Sequence, residues 1–129
     1  MIGLDTNLLV RILTNDDPVQ ARRALKMLKS DDNYIPKTVL LETEWVLRHA
    51  YEIDRSKIIR GFKKLLGLPN VNVEDPDSIY QAISWYDNKY DFADALHLAS
   101  SSRCESFATF DSSLIKKAQQ FSSMKMVKL

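Results

Sequence analysis

The chain has 129 residues, 45% of them hydrophobic and 27% charged, the composition of a globular domain and not of a disordered or fibrous chain. A chain of this length buries roughly two-thirds of its unfolded surface, so one domain over residues 1–129 with an unstapled core is expected. Eighteen basic and seventeen acidic side chains give a net charge of +1, a total that favours neither nucleic acid nor an anionic membrane. Cys104 is the only cysteine, which excludes an intrachain disulfide and any CxxC site. Asp5 stands where a signal peptide needs a basic and then apolar run. No stretch approaches the roughly 20 apolar residues of a membrane span. A cytoplasmic, membrane-free protein is therefore expected. With glycines only at 3, 61 and 67, neither a Walker loop nor a GxGxxG fingerprint can be written.

Taken in chain order, short apolar runs alternate with stretches of helical period. Ile2 to Leu4 reads as a first strand ending in Asp5. Asp16-Asp17-Pro18 is a helix start, with Ala21, Ala24, Leu25 and Leu28 at helical spacing behind it. Tyr34-Ile35 forms a short second strand before Pro36, and Thr38 caps a helix to about Tyr51. Ile58, Ile59, Phe62, Leu65 and Leu66 mark a further amphipathic helix with Gly67 at its C-terminus. Val71 to Val73 is a third strand, and Asp75-Pro76 opens a helix carrying Ile79, Ala82, Ile83 and Tyr86. A second start near Phe92-Ala93-Asp94 leads a helix to about Ser102. Phe107 to Phe110 is a fourth strand ending at Asp111, before a helix Ser113 to Phe121 and a last strand Met126 to Leu129.

Five short strands separated by helices predict an α/β fold with a parallel sheet covered on both faces. Such sheets place ligand chemistry at the carboxyl ends of their strands, where Asp5 and Asp111 fall. Glu42 lies at the edge of the stripe that Val39, Thr43, Val46, Leu47 and Ala50 form on a helical wheel. It is either a rim residue reaching solvent or a ligand. Glu44 falls on the outer face, with Arg48 as its i+4 partner. Asp94 sits among small and apolar residues at a helix start, where either it or Asp91 can cap. Carboxylates that converge without basic partners repel one another unless cations neutralise them. Oxygen-only ligands favour Mg²⁺ or Mn²⁺ over zinc.

Asp5-Thr6-Asn7 after the first strand, Glu42 within Glu42-Thr43-Glu44-Trp45-Val46-Leu47, the run Asp91-Phe92-Ala93-Asp94-Ala95-Leu96-His97, and Thr109-Phe110-Asp111 resemble the motifs of PIN-domain ribonucleases. They are most similar to those of the VapC toxins of bacterial type II toxin–antitoxin pairs. The resemblance covers the whole chain and implies a PIN-like three-layer α/β/α sandwich around a central parallel sheet of about five strands. It assigns Asp5, Glu42, Asp94 and Asp111 to a catalytic metal site, with Thr6 and Asn7 supporting them. It further implies Mg²⁺- or Mn²⁺-dependent endonucleolytic cleavage of RNA (transfer or ribosomal) by metal-activated water, a homodimer, and a VapB-like antitoxin partner. A housekeeping RNA-processing nuclease and a non-catalytic RNA- or protein-binding module are the competing members of the same class.

Two other readings fit these residues poorly. A haloacid-dehalogenase-type phosphatase needs an acid two residues after Asp5, where Asn7 stands. A receiver domain needs paired acids at its first strand, and Asp5 has no acidic neighbour.

Histidines 97 and 49 are left out of the site, because hard cations prefer oxygen and His49 lies two turns from Glu42. Trp45, Trp85 and the tyrosines read as core, interface or base-stacking residues. Cys104 reads as a buried small apolar residue. Charge is unevenly spread. Residues 48–64 carry a local excess of +4, residues 65–94 a local −5, and the chain without its four site acids an excess of +5. The basic stretch is either a solvated helix face or a phosphate-contacting surface. Arg11 and Arg48 are the candidates for touching RNA.

Overall fold

Parallel pairing of short strands organises both parts of the chain. The computed structural model describes residues 1–129, which divide into two units, Met1–Pro76 and Asp77–Leu129. The first unit runs β1 (Ile2–Gly3), α1 (Thr6–Thr14), α2 (Pro18–Ser30), β2 (Asn33–Ile35), α3 (Lys37–His49), α4 (Arg55–Leu66) and β3 (Val71–Val73). Its strands form a parallel ladder in the order β1-β2-β3, with Ile2 opposite Asn33 and Ile35 opposite Val73. The second unit holds α5 (Pro76–Asp87), α6 (Phe92–Ser100), β4 (Ser106–Thr109), α7 (Ser112–Phe121) and β5 (Lys125–Lys128). Here β4 and β5 pair in parallel, Ser106 opposite Lys125 and Thr109 opposite Lys128. The five expected strands are all present and all parallel, hydrogen-bonded as a ladder of three and a ladder of two.

The helix starts follow the acids and prolines. Asp17 accepts a hydrogen bond from the Gln20 amide at 3.1 Å, with Pro18 in the first turn of α2. Asp54 caps α4 in the same way through the Lys57 amide at 3.1 Å. Helix α3 begins one residue before Thr38, behind Pro36 and without a side-chain cap. Helix α1 is the element that the apolar pattern leaves unassigned. It follows at once on a two-residue strand and ends at Asn15, whose φ of 54° is the left-handed closure asparagine tolerates. Gly67 does end α4, yet with φ −81°, so it is not a left-handed stop.

Helical spacing predicts the wrong stripe on α3. Its buried residues are Leu40, Thr43, Glu44 and Leu47, an i, i+3, i+4, i+7 set, while Ala50 is exposed. Glu44 is therefore buried instead of facing outward. The expected Arg48 partner is there, with Nε 2.6 Å and Nη2 3.3 Å from the Glu44 carboxylate oxygens. That forked pairing is what lets a carboxylate leave water. Cys104 is exposed, against the expectation of burial. Trp85 is buried and Trp45 is 56% exposed, its ring against His49 at 4.7 Å. No helix is long and apolar enough to cross a membrane.

In the first unit Leu9, Leu28, Ile35, Leu40 and Phe62 are completely buried. Phe62→Ala is expected to cost about 3–5 kcal/mol, read as a fall in the urea midpoint at unchanged m-value. A loss below about 1 kcal/mol would mean that α4 is not anchored through this ring.

Candidate active site

The loop after β1 places the first acid. Asp5 is the N-cap residue of α1, in extended conformation, but its side chain makes no capping hydrogen bond. Asp17, Asp54, Asp91 and Asp111 all spend an oxygen on their helices, so Asp5 keeps an exposed carboxylate uncommitted. Thr6 is buried, and its Oγ1 donates to Glu42 Oε1 at 2.5 Å. That bond ties the start of α1 to the middle of α3 and fixes Glu42, which lies on the exposed face of its helix. The sequence-predicted pair Thr6 and Glu42 is thus in contact, with Asp5 one residue away. Asn7 is exposed and lines a shallow groove with Leu8, Arg11 and Met27.

Arg11 is committed within the chain. Its Nη1 lies 3.0 Å from Asp16 and 3.3 Å from the Tyr51 hydroxyl, and its Nε donates to Gln20 at 2.8 Å. Tyr51 donates in turn to Asp16 at 2.5 Å. The Tyr51 hydroxyl, with Thr14 and Arg11, holds the Asp16 carboxyl below its ordinary range. Arg48 is held by Glu44 and is 35% exposed.

The second unit divides labour among its acids. Asp91 caps α6, accepting from the Asp94 amide at 3.1 Å. Of the two residues able to cap, Asp91 does so, and the half-buried Asp94 carboxylate is spared. Burial pushes Asp94 above the usual carboxylate range, and the charges of Asp91 and Asp111 add to the shift. His97 and Lys117 pull the other way. Asp111 caps α7 through Oδ1 alone, which accepts from the Ser113 hydroxyl at 2.7 Å, the Ser113 amide at 2.9 Å and the Leu114 amide at 3.2 Å. The Ser113 hydroxyl and the Leu114 amide hold Asp111 below its ordinary range. Its Oδ2 faces no donor.

Two neighbours of these acids carry no motif. Tyr90 is buried, donates to the Leu114 carbonyl at 3.4 Å, and is pushed up to about 12 by burial and by the charges of Asp94, Asp111 and Asp91. Lys117 donates to the Lys89 carbonyl at 3.1 Å. Tyr90 is adjacent to Asp91, a signal a closer reading can use. Lys116 and Lys117 are indistinguishable until α7 has a face.

Asp5 and Glu42 thus belong to the first unit and Asp94 and Asp111 to the second. No group of three or more His, Cys, Asp or Glu side chains is placed to hold a metal ion. The donor chemistry nevertheless fits a hard divalent cation: spare carboxylate oxygens, one of them on a group raised by burial and by neighbouring like charge.

The PIN domain family model matches residues 2–120. The chain belongs to the PIN domain family. No curated protein matches it. The seven helices and short parallel strands are the PIN-like α/β/α fold, and PIN domains are in general divalent-metal-dependent nucleases that act on RNA.

In this PIN domain the raised Asp94 gives a signed pH dependence. A carboxyl with a raised folded pKa favours folding while protonated and disfavours it once ionised, so stability falls as pH rises through the folded value. In metal-free buffer at neutral pH, Asp94→Asn is therefore expected to melt above wild type. The gap should close at about pH 3, below the ordinary carboxylate range. Thermal melts in EDTA at both pH values measure this; a variant less stable than wild type at neutral pH would contradict the crowding of Asp94.

Proposed function

We propose that residues 1–129 act as a single metal-dependent endoribonuclease domain in which Asp5, Glu42, Asp94 and Asp111 together hold Mg²⁺ or Mn²⁺. The observation that carries this reading is the withholding of carboxylates from structural duty. Asp5 sits at an N-cap without capping, and Asp91 takes the cap that would otherwise occupy Asp94. A domain with no use for a cation has no reason to leave a half-buried acid crowded by two others.

When bound, the divalent ion supplies Lewis acidity, activating a water and stabilising the leaving oxygen of a phosphodiester. The chain's own residues do the rest. Thr6 orients Glu42 through its hydroxyl, and Asn7 is the second supporting residue of this reading. The caps of Asp91 and Asp111 fix the starts of α6 and α7, so that Asp94 and the second oxygen of Asp111 are presented at defined positions. Arg11 and Arg48 are the RNA contacts of this reading, each aimed by an acid of its own, Asp16 and Glu44.

The motif pattern supports a finer statement: a VapC-type toxin, cytoplasmic and homodimeric, that cuts transfer or ribosomal RNA and is held in check by a VapB-like antitoxin. Expression of this chain alone is then expected to arrest growth, and Asp94→Ala to relieve the arrest. Unimpaired growth on expression of soluble wild type would remove the toxin role and leave the nuclease.

The enzymatic claim is tested by initial rates on structured RNA with Mg²⁺ or Mn²⁺. EDTA should abolish cleavage, and Asp5→Ala should lower it by more than about 100-fold. Thr6→Val should cost about 10–100-fold, the range for a residue that orients a ligand. Asp111→Asn keeps a capping side chain and removes only charge, so lost cleavage with an unchanged melt assigns Asp111 to the metal. Cleavage that survives EDTA, or is equal in Asp5→Ala, refutes the mechanism.

A further inference from the structure

Helices α2 and α4 of the first unit carry nine lysines and arginines and no acid within their lengths. The unit's acids are elsewhere, so a chain of net charge +1 concentrates its positive charge on two elements. Both helices line one groove of about 500 Å³, floored by Ile12 and Leu13 of α1. Gly61 makes the floor possible: a Cβ there would lie 3.0 Å from Leu13 Cδ2.

On the α4 wall stand Lys57, Arg60 and Lys64. Their i, i+3, i+7 spacing puts them on one stripe, roughly 4.5 and 6 Å apart along the axis. All three are exposed and none lies within ion-pair distance of an acid. The cap Asp54 is held below its ordinary range by the Lys57 amide and the Ser56 hydroxyl, and the charges of Lys57 and Arg60 add to this. The α2 wall presents exposed Leu25, flanked at i−3 and i+4 by Arg22 and Lys29. Neither Asp5 nor Glu42 lines this groove, so it is distinct from the acids of the candidate site.

We propose that this α2–α4 face is a docking surface for the phosphodiester backbone of RNA, which holds substrate apart from the acids that cut it. This rests on the nuclease reading for its substrate class. Charge complementarity names the occupant, because a run of cations without interleaved acids suits a polyanion. The cations also continue beyond the groove, over exposed Lys26 and Lys63. A peptide seated in the groove would have no use for those, whereas a nucleic-acid backbone crossing both helices meets them all.

The test is the affinity of the full chain for a fluorescein-labelled single-stranded RNA, by anisotropy in EDTA so that no cutting occurs, across a sodium chloride series. The variant Lys57→Gln/Arg60→Gln/Lys64→Gln should bind more weakly. Its slope of log K against log salt should be shallower by about 2, at about 0.7 per single-strand phosphate contact. The charge-matched Arg103→Gln/Lys116→Gln/Lys125→Gln, on exposed positions of the second unit, should keep the wild-type slope. Equal losses in both variants, an unchanged slope in the first, or no RNA binding by wild type would overturn the proposal. So would loss of poly-L-glutamate binding in the first variant with RNA binding intact, which reassigns the groove to an acidic polypeptide. The two readings fail separately. Wild type that binds through this face and never cuts refutes the nuclease, and wild type that cuts while the first variant binds normally refutes the docking surface.

Discussion

Three carboxylates stand at the starts of two helices, one of them half-buried, and the second unit holds them there through helix caps. Asp91 and Asp111 cap α6 and α7, and Asp94 follows in the first turn of α6. Each benefits from the partial positive charge of a helix N-terminus, and each cap satisfies amides that would otherwise be bare. Those gains keep the acids in place, while burial first, and then the charges of Asp91 and Asp111, leave Asp94 with a raised pKa. Burial, and then the charges of the same three acids, make the Tyr90 hydroxyl less acidic.

The first unit handles its acids differently. Asp16 is shared among Arg11, Thr14 and Tyr51, and the buried Glu44 is clasped by Arg48. These are acids with partners, and they stitch helices together. Asp5 and Glu42 lie outside those networks, with one hydroxyl, from Thr6, holding Glu42. The contrast between paired and withheld carboxylates separates structural acids from chemical ones more sharply than exposure does, since Glu42 is exposed and Asp94 half-buried.

Much of this is legible in the residues. Acid-proline pairs locate α2 and α5, short β-branched runs locate β3, and small residues around Asp94 locate α6. The four acids are picked out by where they fall on these elements and by their likeness to the PIN motifs. Helix α1 is missed because the strand before it is two residues long and gives no change of period to read. Glu44 is misplaced because the wheel treats charge as outward, and only the Arg48 fork explains how a carboxylate can face the core. Cys104 is misread because composition assigns thiols to interiors while position assigns this one to a turn. Tyr90 and Lys117 carry no pattern of their own and become visible once the starts of α6 and α7 are seen to share one field.

The proposed metal centre draws on Asp5, Glu42, Asp94 and Asp111 together, and Mn²⁺ binding followed by electron paramagnetic resonance tests that most directly. Wild type should bind Mn²⁺ with an affinity that Asp5→Asn and Asp94→Asn each weaken strongly, although the two positions belong to different units. Mn²⁺ binding that is unchanged in either variant would show that the acids do not act together and would contradict a shared metal centre.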